Sequence, residues 1–517
     1  MTVRRFTAWL WPLMLCACGF LPTQSDRPYS AARRAADDSV LARVASASGP
    51  VETQTGFRLM PDGFYSLDAR VQLIDRARDS LDLQYYLIAD DRSGRLVMRS
   101  LRNAALRGVH VRLLIDDLYT ADALVRGLGA FSNVEVRLFN PFCCARGSAA
   151  AKLIASLGDV RRLNHRMHNK LFIADGVSAI MGGRNIADEY FERSATSNFV
   201  DMDVLVIGTV VRRLATLFDT YWNSPHAYPV DAIISDGATP EALRRGFDRQ
   251  VDEGAQMLAV RLPPVDLLGH GPLGRDLDFG RLDLAWGTAI AFADPPGKVM
   301  ATSADEARSM SVQMNIMDWF AKAKRELLIS SPYFVPGRLG LQDFDELRKR
   351  DIKITILTNS LAANDVPLVH VGYARYRVAL LRAGVDLYEL SPSRSRDDER
   401  LMLPGMSLGR LHAKAAVMDQ STVYIGSMNL DPRSDTANTE LGMLAECPEL
   451  ADQVIEVLDI SKQRSAYHVR FAADGTSLQW LAGNGREQIV LDSEPEVTPA
   501  MTLRTLLLAP FVPEQLL

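Results

Sequence analysis

The decisive stretch is MHNKLFIADGVSAIMGGRN, residues 167–185, because its pattern returns as LHAKAAVMDQSTVYIGSMN, residues 411–429. In each copy a histidine (His168, His412) leads a lysine (Lys170, Lys414) by 2 positions, an aspartate (Asp175, Asp419) by 7 and an asparagine (Asn185, Asn429) by 17. The two histidines stand 244 apart in a chain that holds only 8, so coincidence is a poor explanation. So long a period points to duplicated domains, not to a solenoid of short repeats.

Working outward, the flanks repeat as well. Leu67 to Arg78 has helical apolar spacing, Leu81 to Ile88 is strand-like, Gly94 to Leu106 is helical and Val109 to Ile115 is strand-like again. About 245 residues later the order recurs as helix Met317 to Ala323, strand Leu327 to Val335, helix Leu341 to Arg348 and strand Ile352 to Leu357. Tyr86 and Tyr333 each follow an apolar strand, and the strand ends Asp116 and Asn359 lie 243 apart. Alternating helix and strand predicts an α/β layer architecture. At 517 residues two domains are the natural expectation. The boundaries read from the patterning are a signal peptide over 1–17, a tether over 18–50, a first domain over 51–225, a turn-rich connector over 226–308 and a second domain over 309–517.

Residues two apart on a strand share a face, so each histidine is expected to face a ligand together with its lysine. An ammonium beside an imidazole suits an anionic phosphate, and the Gly-Gly or Gly-Ser turn before each asparagine adds amide donors. One half carries half a site. If a pseudo-twofold axis brings the halves together, one histidine can attack phosphorus while the other protonates the departing alkoxide. Each imidazole then needs an acidic partner, for which Asp201 in FVDMDVLV and Glu440 in NTELGML are the candidates. Asp175 and Asp419 belong to the motif, but their odd spacing from the histidine predicts a structural role. The chemistry requires no divalent metal and no cofactor.

The duplicated H-x-K-x4-D with G-[GS]-x-N resembles the HKD signature of the phospholipase D superfamily. Further stretches, GFRLMPDG, RGVHVRLLIDD, NHRMHNKLFIADG, GGRNIADEYF, LTNSLAANDVPLVHVGYARYR and SMNLDPRSDTANTELG, resemble the bacterial cardiolipin synthase branch, in particular the class that draws on phosphatidylethanolamine. The resemblance covers most of the chain from Gly56 onward. It implies two phospholipase D-like domains, each a mixed β-sheet flanked by helices, related by a pseudo-twofold axis. It implies a phosphatidyltransferase with His168 as nucleophile and His412 as general acid and base, an order that near-symmetry leaves open. It further implies Lys170, Lys414, Asn185 and Asn429 as a phosphate cradle, Asp201 and Glu440 as the carboxylates holding the imidazoles, and Asp175 and Asp419 as members of the motif. The expected partners are phosphatidylglycerol and phosphatidylethanolamine in a membrane, with room for an accessory protein. Two rivals stay open: hydrolysis of phospholipids (less so of nucleic acid) by the same residues, and a non-catalytic envelope lipoprotein. Arg410 stands where the family pattern leads one to expect a small residue.

The N-terminus has a signal-peptide layout, with Arg4 and Arg5 before an apolar run to Leu15 and then Cys16-Ala17-Cys18-Gly19. Cys18 fits a lipobox better than Cys16, and the alternative is an uncleaved anchor. The expected location is therefore a bacterial envelope, facing the periplasm, with the outer membrane favoured over the inner by Gly19 after Cys18. Cleavage there removes two arginines and no acidic residue, taking the formal charge from −5 to −7, which speaks against a nucleic-acid substrate. With 47% hydrophobic and 23% charged residues the body reads as globular. Cys143, Cys144 and Cys447 lack metal-ligand spacing. His165 reads as a surface or supporting histidine, His370 and Tyr373 as pocket-lining or helix-surface, and Trp222 as a core aromatic. The apolar stretch Leu503 to Leu517 is expected to pack on the body in preference to grazing a membrane.

Overall fold

The computed structural model describes residues 21, 26–33, 36–142, 146, 160–235, 237–253, 262–396, 407–483 and 488–508. The expected signal peptide over 1–17, the lipidation site Cys18, the Cys143-Cys144 pair and the end of the apolar tail lie outside the described residues.

Three parallel strands, Ser80–Tyr85, His110–Asp116 and Val134–Phe139, form one side of the first half, joined by the helices Arg92–Leu106 and Asp122–Gly129. Parallel neighbours need such crossovers, and with helices covering them they are buried along almost their whole length, so they read as nearly continuous apolar runs. Antiparallel to Ser80–Tyr85 lies the hairpin Leu171–Ala174 and Ser178–Gly182, which the motif encodes. Asp203–Gly208 and then Thr55–Met60 follow it across the sheet. The second half repeats this order with Glu326–Ser330, Lys353–Asn359 and Asp386–Leu390 as its parallel strands, and with Ala415–Met418, Thr422–Gly426 and Leu441–Glu446 as its antiparallel ones. Helices start within five residues of their expected positions, at Gly63–Arg76 and Val312–Phe320 among others.

Two expected boundaries are corrected. Residues 226–308 are no mere connector: the strand Ala285–Ala293 pairs through Ala285, Trp286 and Gly287 with Thr55–Met60 and through Thr288 to Ala293 with Leu441–Glu446, fusing both halves into one sheet of 18 strands among the described residues. Its alanines and glycine gave little strand signal, which is why patterning missed it. The helix Pro240–Asp252 also packs on the first half, Phe247 meeting Phe131 with ring centroids 5.8 Å apart. Nor is 18–50 a tether throughout. Val40–Ser48 is a helix capped by the Ser39 hydroxyl, which accepts from Ala42 N–H, and it buries Leu41, Val44 and Ala45. Ahead of it, Ala32 N–H donates to Asp219 and the Arg27 guanidinium lies 3.8 Å from the Tyr228 ring centre.

One core fills each half, and a further core is shared. In the shared core Leu214 and Phe218 of the helix Thr209–Trp222 belong to the same cluster as Leu450 and Val454 of the helix Pro448–Ile460. Trp222 is fully buried there and stacks on Phe218. No helix among the described residues is long and apolar enough to cross a membrane.

Candidate active site

Both H-x-K runs lie just ahead of their hairpin strands, which begin at Leu171 and Ala415, and not inside them as the spacing suggested. They are held instead by backbone from the opposite half. His168 N–H donates to Thr439 O at 2.9 Å, Thr439 N–H donates back to Arg166 O, and His412 N–H donates to Val200 O at 2.8 Å. Thr439 and Val200 each precede one of the two candidate carboxylates, so the pairing crosses between halves. Glu440 Oε2 lies 2.9 Å from His168 Nδ1, and Asp201 Oδ2 lies 2.6 Å from His412 Nδ1. The short parallel ladder Ser197–Val200 with Leu408–Leu411 fixes this register on one side.

The residue just before each histidine is clamped by the end of a parallel strand. Asp116 accepts Met167 N–H through Oδ2 at 2.9 Å, while Asn359 accepts Leu411 N–H at 2.8 Å and returns a hydrogen bond to Leu411 O. The 243-residue spacing of Asp116 and Asn359 was visible in the sequence; their shared task was not.

Each lysine ammonium donates to the carbonyl of its own histidine, Lys170 to His168 O and Lys414 to His412 O, both at 2.6 Å. The four groups sense one another across the halves. Burial lowers both imidazoles to about 4, helped by Lys170 and Lys414 and opposed by the carboxylates. Burial lowers Lys170 to about 7 and Lys414 to about 8, although Glu440 and Asp201 hold each of them up. Burial alone would raise Asp201 and Glu440, but their imidazole partners and the lysines outweigh it, so both end below their ordinary values. An ionised carboxylate only accepts, so the Nδ1 facing it carries the proton and Nε2 of each ring is left as the basic nitrogen.

The Gly-Gly and Gly-Ser turns match their carboxylates. A Cβ at Gly183 would sit 2.2 Å from Asp201 Oδ1, so only glycine lets the short aspartate stand there. In the second half Ser427 occupies that position and donates to the longer Glu440, whose other oxygen accepts from Ser434 at 2.9 Å. Asp294, from the segment expected to be a connector, accepts Glu440 N–H and is paired with buried Lys298 at 2.8 Å.

Of the remaining expected residues, Asn185 and Asn429 are buried beside the motif, each with its Oδ1 unpartnered among the described residues, while Asn185 Nδ2 donates to Tyr190 OH at 3.0 Å. Asp175 and Asp419 are not brought to the histidines, which corrects their inclusion with the reacting groups. They end the motif strands in left-handed turns (φ 54° at both), and their carboxylates accept backbone N–H groups of Arg78, Asp79 and Ser80, and of Lys324, Arg325 and Glu326. Sequence reading missed Tyr190 and Phe199, whose rings lie 5.1 and 4.9 Å from that of His412, and it had noted Tyr86, 5.3 Å from His168, only as a repeat marker. Aromatic residues after a strand carry no signal that separates wall from core. His370 and Tyr373 are neither surface nor pocket residues: His370 meets Glu494 and Arg377, and Tyr373 donates to Glu389. Among the described residues no group of three or more His, Cys, Asp or Glu side chains could hold a metal ion.

The chain matches the family model "Cardiolipin synthase, PLD-like domain" twice, over residues 71–222 and 316–460, one match for each half-site. It is 38% identical over 451 residues to cardiolipin synthase C of Escherichia coli (strain K12), covering 83% of this chain and 90% of that protein. It is 24% identical over 404 residues to a cardiolipin synthase of Staphylococcus aureus (strain Mu50), covering 78% and 66% respectively. Among solved structures, phosphatidylserine synthase of Haemophilus influenzae Rd KW20 shares the fold with a TM-score of 0.52 at 13% identity, covering 92% of this chain and all of that one.

Proposed function

The chain belongs to the cardiolipin synthase family of phospholipase D-like enzymes, and from that premise we propose that it makes cardiolipin by passing a phosphatidyl group to phosphatidylglycerol through a phosphohistidine intermediate. The observation that carries this reading is the crossed pairing, Glu440 on His168 and Asp201 on His412, which supplies two oriented imidazoles from two halves.

In the first step His168 Nε2 attacks the phosphorus of a donor glycerophospholipid, the bond to the head-group oxygen breaks, and His412 protonates the departing alkoxide. In the second step His412, now neutral, takes the proton of a glycerol hydroxyl of phosphatidylglycerol. That oxygen attacks phosphorus and the P–N bond to His168 breaks. Lys170, Lys414, Asn185 and Asn429 meet the charge on the non-bridging oxygens. Because the lysines push both imidazoles down, an anionic phosphodiester between them relieves that repulsion and lets His412 take up its proton.

The order of the histidines is supported by how the carboxylates are shared. Glu440 divides its charge among His168 and the hydroxyls of Ser427 and Ser434, whereas Asp201 accepts its own neighbour's N–H, from Met202, and lies closer to its imidazole. Imidazolium is thus favoured on His412 and the neutral nucleophile on His168.

The proposal extends to place. Cys18 would be lipidated, tethering the enzyme to the periplasmic side of a bacterial envelope membrane, the outer in preference to the inner, where confinement with lipid raises effective concentration. Labelling cells with an alkyne fatty acid tests it: Cys18→Ala should abolish the label, and a label that persists contradicts the anchor. The reaction is tested with purified protein and vesicles of phosphatidylglycerol, with and without phosphatidylethanolamine. Cardiolipin with free glycerol or ethanolamine is the expected product; phosphatidic acid alone would mean that water, not an alcohol, is the acceptor.

A further inference from the structure

The two halves repeat closely around the histidines but differ where the second helix of each half meets the turn after the motif asparagine. In the first half that turn is stapled shut. Asp188 accepts from Arg92 Nε at 2.9 Å and from Ser93 N–H and Oγ at 2.9 and 2.7 Å, and its own N–H donates to Asp91. The helix Arg92–Leu106 comes so near that a Cβ at Gly94 would lie 1.8 Å from Ala89 O.

One repeat later the carboxylate at the centre of the staple is gone. Pro432 stands for Asp188 and offers no side-chain acceptor. Here the structure has a cavity of about 780 Å³, between the helices Val312–Phe320 and Gly337–Lys349 and the turn Leu430–Asp435. Phe320, Phe334, Phe344 and Leu347 make its buried wall. At its mouth Leu339 is 66% and Met314 51% exposed, a cost in water that an apolar occupant removes. Of the arginines lining it, Arg308 is paired with Asp435 and Arg350 donates to Ala321 and Ala323 carbonyls, while exposed Arg338 has no partner among the described residues. Leu430 and Asp431, which line the cavity, directly follow the motif residue Asn429 in the chain.

We propose that this cavity holds one acyl chain of a glycerophospholipid whose phosphodiester lies between the two histidines, with Arg338 facing the anionic lipid surface at its mouth. The proposal rests on the phosphatidyl-transfer reading and gives the near-symmetric site a direction, since the chamber lies beside the staple position of the second half, whereas that of the first half is stapled shut. An amphiphile with a phosphate at one end and a hydrocarbon chain at the other is the ligand chemistry that fits a cavity with a buried aromatic wall whose lining turn follows Asn429 in the chain.

The test uses the full-length protein in vesicles doped with phosphatidylglycerol that carries a diazirine at the acyl terminus, with the labelled peptides mapped after irradiation. Label is expected within 312–320 and 337–347. Met317→Trp, which fills the cavity, should remove that label and raise KM for long-chain phosphatidylglycerol by at least about tenfold, each excluded methylene being worth about fourfold. Turnover of dihexanoyl phosphatidylglycerol should stay within about twofold, which shows that the variant is folded. Label confined to other segments, or equal loss on short and long chains, overturns the subsite. Cardiolipin formed without label in these segments defeats the subsite alone. Label without cardiolipin defeats the transfer reading and leaves the subsite standing. Absence of both defeats both.

Discussion

At the scale of single residues the site is a set of charges whose protonation is set by burial and by one another. Because Lys170 and Lys414 are lowered to about 7 and 8, they are only partly charged in weakly alkaline solution when nothing is bound. An anion selects the charged form, so the affinity for inorganic phosphate should fall as pH rises above about 7, and binding at pH 8 should take up protons. Calorimetry in buffers of differing ionisation heat checks this, and proton release would contradict it. Stability has its own sign. Unfolded histidines bind protons between pH 6.5 and about 4, where the folded ones do not, and Asp201, lowered to about 2, adds stability that is present above 3.8 and lost as pH falls toward 2. Both effects favour the folded protein as pH rises through these windows, while Asp116 and Asp294, raised by burial to about 6, act the other way, so the histidine part is isolated by comparison: the urea midpoint of the wild-type protein should gain on that of His168→Ala as pH rises from 4 to 6.5. Gly183 leaves no room for a Cβ beside Asp201. Gly183→Ala should displace Asp201 and reduce turnover at least about tenfold, toward the 10²–10⁴ range of a lost acid–base group, while Ser427→Ala, which leaves Glu440 in place, should cost less.

At the scale of elements, the strand ends Asp116 and Asn359 decide where each histidine stands. Asp116→Ala leaves Met167 N–H buried without its acceptor and should destabilise the protein by about 1–3 kcal/mol in urea unfolding. Asp116→Asn copies the second half and should retain most of the stability. How far the sequence discloses such features follows from what each depends on. The helices and strands of both halves were legible because apolar periodicity is a local property, the histidines because they repeat at a fixed spacing, and Asp201 and Glu440 because each stands on an apolar run downstream of its motif. What stayed hidden depends on contacts between distant segments. The crossing of Asp201 and Glu440 depends on pairing between the halves, a single bridge from Met167 to Thr439 and a short ladder that ends at Leu411 and Val200. The strand Ala285–Ala293 is poor in β-branched residues, and the helix Val40–Ser48 is short and buries only a few side chains, Leu41 and Val44 among them. The motif aspartates show the reverse case: repetition marked Asp175 and Asp419, yet they hold turns and do not reach the histidines.

At the scale of the whole molecule, two domains distinguishable in sequence behave as one body. The strand Ala285–Ala293 carries hydrogen bonds to both halves, and the shared core draws Phe57 and Trp222 together with Met443 and Leu458. Far-UV circular dichroism and tryptophan fluorescence should therefore report one coincident urea transition, and two separated transitions would show that the halves unfold independently. This fusion is what allows one phosphorus to be addressed from both sides. The most direct test uses a phosphatidyl ester of p-nitrophenol, whose leaving group departs without a proton, so the first step no longer needs His412 while the second still does. The account expects His412→Ala to release one equivalent of p-nitrophenolate in a burst and then stall, with a phosphatidyl group found on His168 by mass spectrometry after alkaline quench. His168→Ala should give no burst. A burst in His168→Ala with the adduct on His412, or steady turnover in His412→Ala with no adduct, would contradict it.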